Sequence, residues 1–373
     1  MKQKIENPNA IKNLISDETV KKLAQGLKKA DPKFDSTSFL KVIPKLQPLE
    51  LKARVQAISS HMNACLPKDY LKALKIVMQA AVNTQYQTFD LWPVSDWIEN
   101  HGLNHEVQSL QAMKILTTKF TAEFAVRPFL IQNPKLAFQF LKKNATSKNV
   151  HIRRWSSEGS RPRLPWGQKL KKSIDDPKPG LEILEHLKYD PELYVRKSVA
   201  NHLNDISKDH PELVVQTLKR WKKDCPQESL SHLKWIQNHA LRTLIKKGNP
   251  LALELLGFGG KLQVQLKDFS INKTNYKLGD DLNFKFKIKS ESSKTQNLVL
   301  DYVINYRKAN GKLSSKVYKL KNMTLKAGEA IEIEKIHRLK VITTRTFYSG
   351  LHQIAIQVNG KQFKALDWNL KVY

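Results

Sequence analysis

Two hydrophobic periods share this chain, and they change over at LALELLGFGG, residues 251–260, where three glycines close the last helical pattern. Before that point apolar residues recur at helical spacing between short breakers: Asp31-Pro32, Leu66-Pro67, Asn133-Pro134, Asp190-Pro191, His210-Pro211 and Asn249-Pro250. Punctuation of this kind describes antiparallel helix pairs. The pattern also repeats. Val195, Val199 and Leu203 of YVRKSVANHL align with Ile236, Ala240 and Leu244 of WIQNHALRTL at an offset of 41 residues, and Ile152-Arg153 precedes Val195-Arg196 by 43. A period of about 40–47 residues belongs to HEAT and armadillo arrays, in which each helix pair buries its apolar face against its neighbours. An all-α HEAT-like solenoid is therefore expected over residues 1–256, with a non-repetitive bundle as the plainer alternative, because the first 150 residues show the period weakly.

Beyond the glycines the alternation has period two. DLNFKFKIK sets Leu282, Phe284, Phe286 and Ile288 on one face and Asn283, Lys285, Lys287 and Lys289 on the other, the pattern of a half-buried antiparallel strand. Asn310-Gly311 and Asn359-Gly360 are each expected to form a type I′ hairpin turn, which needs positive φ at both central residues. Several short strands over residues 261–373 predict an all-β immunoglobulin-like sandwich and a multidomain chain.

Charge narrows the partner. The chain carries 64 Lys+Arg against 34 Asp+Glu, a formal net charge of +30, and residues 261–373 hold 22 of the basic and 9 of the acidic residues. Such an excess calls for a polyanion, with nucleic acid first. An anionic membrane is the rival, but no apolar run approaches the ~18 residues of a span and no basic amphipathic segment carries a lipid-facing stripe. MKQKIENPNA lacks the apolar core of a signal peptide, and Cys65 and Cys225 are the only cysteines, so a reducing cytosol and two buried, unpaired thiols are expected. No cysteine or histidine spacing suggests a metal, and no cofactor is expected. The histidines, His151 and His202 among them, are expected to pack or cap.

Within the helical part, HIRRWSSEGSRPRLPWGQKL, residues 151–170, holds Arg153, Arg154, Arg161 and Arg163 with Trp155 and Trp166 around one carboxylate, Glu158. Arginine's planar fork of donors suits phosphate. Pro162 and Pro165 forbid a continued helix, so a rigid exposed loop is expected there. Glu158 would repel the same phosphates. It is either functional or a partner of Arg154 or Arg161 in a surface ion pair, worth about 0–1 kcal/mol. KFTAEFAVRPFL raises the same question, since Glu123 precedes Arg127 by four residues and the plain account is an i,i+4 pair on one helix. Arg196 and Arg242 fit solenoid ridges as well as phosphates.

The segments TAEFAVRPFL (121–130), RRWSSEGSRPRLPWG (153–167) and YVRKSVANHLNDISKDHPELV (194–214) resemble the signature segments of AlkC-type DNA alkylation-repair glycosylases, relatives of AlkD, and SEGSRPRLPW is the most specific of them. The resemblance spans essentially the whole chain, including the β-domain that one branch of the family carries. It implies a monofunctional glycosylase, acting as a monomer on double-stranded DNA, that hydrolyses the N-glycosidic bond of cationic alkylated bases, chiefly N3-methyladenine and N3-methylcytosine, without deep base flipping. Glu158 and Glu123 match the family's acidic active-site positions. Trp166 and Trp155 would face the lesion, with core packing the competing role for Trp155. Arg127, Arg153, Arg154, Arg161, Arg163 and Arg196 would hold the DNA backbone. The competing functions are a non-catalytic DNA-binding solenoid, in which the glutamates only hold the arginines, and a protein-interaction scaffold, which leaves the arginine-rich loop unused.

Overall fold

A computed structural model describes residues 10–372 apart from 84, 85, 87, 343 and 344. The first nine residues, on which the signal-peptide reading rests, lie outside the described residues. Helices run from Asp17–Ala30 to Pro250–Leu255 and strands from Val264 onward, the predicted order of an α-solenoid and a β-sandwich. The breakers act as expected. Asn133 and Asn249 cap the helices that Pro134 and Pro250 begin, because each asparagine side chain accepts an otherwise orphaned backbone N–H. No described helix is long and apolar enough to cross a membrane. Cys65 and Cys225 are free thiols, and each is only partly buried, short of the full burial expected.

The chain divides into two compact units, residues 1–209 with 224–239, and residues 210–223 with 240–373. In the first, Asp17–Ala30 packs with Tyr70–Asn83, Leu51–Cys65 with Trp92–His101, Pro134–Asn144 with Val150–Gly159, and Val150–Gly159 with Leu193–Ile206. The repeat positions Ile152, Val195, Val199, Leu203 and Ile236 of this unit are all buried, as are Ala240 and Leu244 of the second. Fully burying a Val, Leu or Ile side chain stabilises by about 1.5–3 kcal/mol, so each stripe stabilises the unit that holds it.

In the second unit, β1 (Val264–Ile271), β3 (Asp281–Ser290) and β6 (Ala330–Arg338) form one sheet in the order β1-β3-β6. The other sheet runs β2 (Asn275–Lys277), β9 (Leu366–Lys371), β7 (Gly350–Val358), β4 (Gln296–Arg307), β5 (Leu313–Leu325), with β8 (Lys361–Gln362) paired to β7. Leu282, Phe284, Phe286 and Ile288 enter a core shared with Tyr302, Ile354 and Trp368, while Lys285, Lys287 and Lys289 face solvent. The helix Pro211–Lys223 belongs to this unit because it packs against Pro250–Leu255.

The two Asn-Gly turns differ. Asn359 and Gly360 both have positive φ, 47° and 81°, and join β7 to β8 as the predicted type I′ turn. Gly360 is also required by space, since a Cβ there would lie 2.0 Å from Gly248 Cα. At Asn310-Gly311 only Gly311 has positive φ, 76°. Five residues separate β4 from β5 and the Gly311 N–H reaches the Lys308 carbonyl at 3.0 Å, so the longer loop closes around a single left-handed glycine in place of a type I′ pair.

Candidate active site

The helix Val150–Gly159 carries the central residues. Asn149 caps it by accepting from the His151 and Ile152 N–H groups at 2.9 and 3.4 Å. It ends at Gly159, where a Cβ would come within 2.6 Å of Val126 and 3.7 Å of the Glu123 carbonyl, so only glycine lets the Glu158 end approach the Glu123–Val126 turn this closely. Glu123 is not on a helix: Arg127 and Pro128 begin one, and residues 123–126 form a turn ahead of it. The i,i+4 pairing of Glu123 with Arg127 is therefore replaced by a contact across the chain, with Arg154 donating to Glu123 Oε2.

That contact defines the site. Arg154 Nη1 also reaches Thr121 Oγ1 at 3.0 Å, and Thr121 donates to Glu123 at 2.9 Å. Arg154 Nη2 lies 3.6 Å from Glu158 Oε1, so one guanidinium bridges both glutamates. Its central carbon sits 5.2 Å from the Tyr194 ring centroid. Glu158 accepts from Arg161 Nη1 at 2.6 Å, and Arg161 Nε and Nη2 each meet Asp205 Oδ2 at 2.8 Å. Burial would lower the Arg161 pKa, but the charges and hydrogen bonds of Glu158 and Asp205 outweigh it and hold the guanidinium above its ordinary value. Glu123, Glu158, Arg161 and Asp205 are all buried, so these pairs are not the exposed surface pairs that the spacing allowed. In a buried pair each charge depends on its partner.

The remaining predicted residues separate into distinct environments. Arg127 is 1 % exposed and spends its donors on the Gly159 and Arg161 carbonyls, both at 2.9 Å, and on the Gln168 carbonyl; its Nη2 has no partner among the described residues. Burial, with the like charge of Arg161 next, pushes its pKa down to about 10. Arg153 grips Asp190 with two bonds at 2.7 and 3.2 Å, Arg163 pairs with Asp209, and Arg196 donates to the Asp190 and Pro191 carbonyls. Trp155 is fully buried, 6.3 Å from the Phe140 ring centroid, and its indole N–H has no partner among the described residues. Trp166 is 65 % exposed and holds φ at 64°, a left-handed conformation that costs a non-glycine residue free energy. The loop expected to be exposed is so only from Pro165 to Lys169; Ser160, Arg161, Pro162 and Leu164 are less open, because Arg161 finds its counter-charges inside.

Spacing within 151–170 did not reveal the supporting residues. Ser198, His202 and Asp205 form a polar stripe at i, i+4 and i+7 on the Leu193–Ile206 helix. Ser198 donates to Ser157 at 2.9 Å and His202 Nδ1 lies 3.1 Å from the Ser157 carbonyl, so the stripe fixes the turn that bears Glu158. Burial pushes His202 down to about 4, keeping it neutral. Polar residues at Ser198, His202 and Asp205 among the apolar positions of the helix's buried face were the available signal. His151, in turn, packs edge-on against Tyr194 at 5.8 Å.

Comparison with known proteins places the chain as a whole. Residues 265–372 match the family described as the C-terminal Ig-like domain of the uncharacterised protein YhaZ. The Bacillus subtilis protein YhaZ is 36% identical over 363 residues, covering 96% of this chain and 99% of that protein. The solved structure of the Pseudomonas fluorescens alkylpurine DNA glycosylase AlkC, bound to DNA containing an abasic site analog, is 36% identical and superposes with a TM-score of 0.89 over 97% of this chain and 99% of that one. Both matches run over nearly the whole chain, and the chain belongs to the AlkC family.

Proposed function

We propose that this protein is a monofunctional DNA glycosylase of alkylation repair that hydrolyses the N-glycosidic bond of cationic alkylated bases, chiefly N3-methyladenine and N3-methylcytosine, in double-stranded DNA. The observation that carries the reading is the pair Glu123 and Glu158, bridged by the Arg154 guanidinium in a chain 36% identical to an alkylpurine DNA glycosylase. The chemistry asks little beyond charge and position. Alkylation makes the base cationic, so when the C1′–N bond breaks the base leaves with the bonding pair as a neutral molecule. The sugar becomes oxocarbenium-like, water adds its oxygen to C1′, and the water's proton passes to a carboxylate. Two carboxylates serve both tasks, one facing the developing cation and one orienting the water.

Trp166 is assigned to the lesion because its ring is exposed, and a cationic base against it gains about 0.5–2 kcal/mol. Trp155 and Arg127 are assigned to positioning the helix and loop from beneath. Arg153, Arg163 and Arg196 reach the phosphates only where they exchange an internal partner for DNA. Residues 1–256 are read as the catalytic and DNA-binding domain and residues 261–373 as a second domain whose outward lysines add backbone contacts. The protein works as a cytoplasmic monomer, and the lesion is exposed by bending the duplex, without a deep flip.

A second reading has a specific observation behind it. Glu158 and Glu123 are each occupied by arginine, as a non-catalytic DNA-binding solenoid would require. Duplex DNA carrying N-methylpurines separates the two. The glycosylase frees base from it, whereas the binding protein retains salt-sensitive affinity and frees none.

A further inference from the structure

Near the bridged glutamates the helical unit contains a small cavity of about 130 Å³, lined among others by Trp92, Phe124, Trp166, Lys52, Asp96 and Glu99. Phe124 follows Glu123 in the chain, so the cavity shares a turn with the active site. The Trp92 and Phe124 rings stack at 5.8 Å and 17°, and the ammonium end of Lys52 lies 5.7 Å from the Phe124 centroid while donating to the Trp166 carbonyl. Asp96 is engaged by Asn100 at 3.1 Å and by the Ser59 hydroxyl. Glu99 makes no hydrogen bond among the described residues, although it lines the cavity. Lys52 and Arg127 act on it as charges, but a half-buried carboxyl that forms no hydrogen bond beside aromatic walls is costly to keep and suits a ligand with ring nitrogens or an amino group.

Size and polarity select the class. Pockets for drug-sized ligands run to about 300–1,000 Å³, whereas an apolar cavity of about 150 Å³ holds one benzene ring, so this space admits the six-membered ring of one nucleobase and excludes a nucleoside. We propose that this cavity is a site for a free nucleobase, which receives the six-membered ring of the alkylated base once its glycosidic bond is broken, against Trp166 and with its ring nitrogen or amino group on Glu99. The proposal rests on the glycosylase reading for its ligand. Burial foremost, with the Asp96 charge next, pushes the Glu99 carboxyl up to about 7, so near neutrality it can donate to a ring nitrogen or accept from an N–H.

Titrating the full-length protein, without DNA, with free 3-methyladenine tests this by calorimetry. Saturable one-to-one binding is expected, weakened at least tenfold in Glu99→Ala and partly restored in Glu99→Gln, which can still donate and accept. Nuclear Overhauser contacts between bound 3-methyladenine and the Trp166 ring are expected in the wild type, a readout that survives should Glu99→Ala fail to fold. Absence of saturable binding, equal affinity in a folded Glu99→Ala, or bound base with no contact to Trp166 overturns the proposal. Wild type that frees base from alkylated duplex yet binds no 3-methyladenine overturns the cavity alone. Binding without base release overturns the glycosylase reading and leaves the cavity as a heterocycle site.

Discussion

The arginines of residues 127–196 and the lysines of β3 contribute to the same positive charge but live in opposite surroundings. Arg127 and Arg161 are buried and spend their donors on carbonyls and carboxylates, Arg153 and Arg163 are paired with Asp190 and Asp209, and Arg154 is shared by two glutamates. Lys285 and Lys289 point into solvent, Lys285 opposite Glu334 and Lys289 opposite Ala330 across the sheet. Net charge therefore overstates the arginine charge open to DNA. The first population builds the site and the second is free to meet phosphate.

Removing a member of each population should separate these roles, and the largest effect is expected inside. Arg161→Leu leaves Glu158 and Asp205 buried without their shared partner and should cost about 3–5 kcal/mol, read as a lower urea midpoint. A loss below about 1 kcal/mol would place Arg161 with exposed pairs. Arg127→Met should cost about 2–3 kcal/mol, because charged hydrogen bonds to the Gly159 and Arg161 carbonyls disappear while the side-chain bulk remains.

Glu99 extends the contrast through pH. Its folded pKa is raised to about 7 from 4.5, so the folded protein holds this proton more tightly than the unfolded chain. The associated stability is complete below about pH 4.5 and is lost as pH rises through 7. Wild type should therefore gain stability relative to Glu99→Gln as the solution is acidified from mildly alkaline to mildly acidic pH in paired denaturant melts; parallel curves would contradict it. The smallest stability effect belongs to the strand lysines. Lys285→Gln with Lys289→Gln should change stability by no more than about 0.5 kcal/mol per site, yet flatten the salt dependence of duplex binding by ~0.9 for each phosphate no longer neutralised. An unchanged slope would remove these lysines from the DNA-binding surface.

Much of this architecture was legible because periodicity is a local signal. Val195, Val199 and Leu203 marked a buried helical stripe, and DLNFKFKIK marked both faces of β3. Turn chemistry was legible at Asn359-Gly360 but not at Asn310-Gly311, where the number of loop residues overrode the dipeptide. At the site, residue type pointed to Glu123, Glu158 and the arginines, but pairing across 31 to 46 residues did not follow from spacing. Arg154 bridging two glutamates, Asp205 behind Arg161 and Glu99 in its cavity depend on how helices pack, which no local pattern records. Trp155 and Trp166 show the same limit, since two tryptophans of one cluster end fully buried and largely exposed.

In the proposed mechanism Glu158 acts on the sugar and does more than hold Arg161. Single-turnover release of free base from duplex DNA carrying N3-methyladenine, wild type against Glu158→Gln, tests it most directly, with duplex affinity measured alongside. Losing one preorganised electrostatic interaction costs about 3–4 kcal/mol of barrier stabilisation, so release should fall roughly 100- to 1,000-fold while affinity stays within a few-fold. Equal release by both proteins, or none by the wild type despite tight binding, would contradict that role for Glu158.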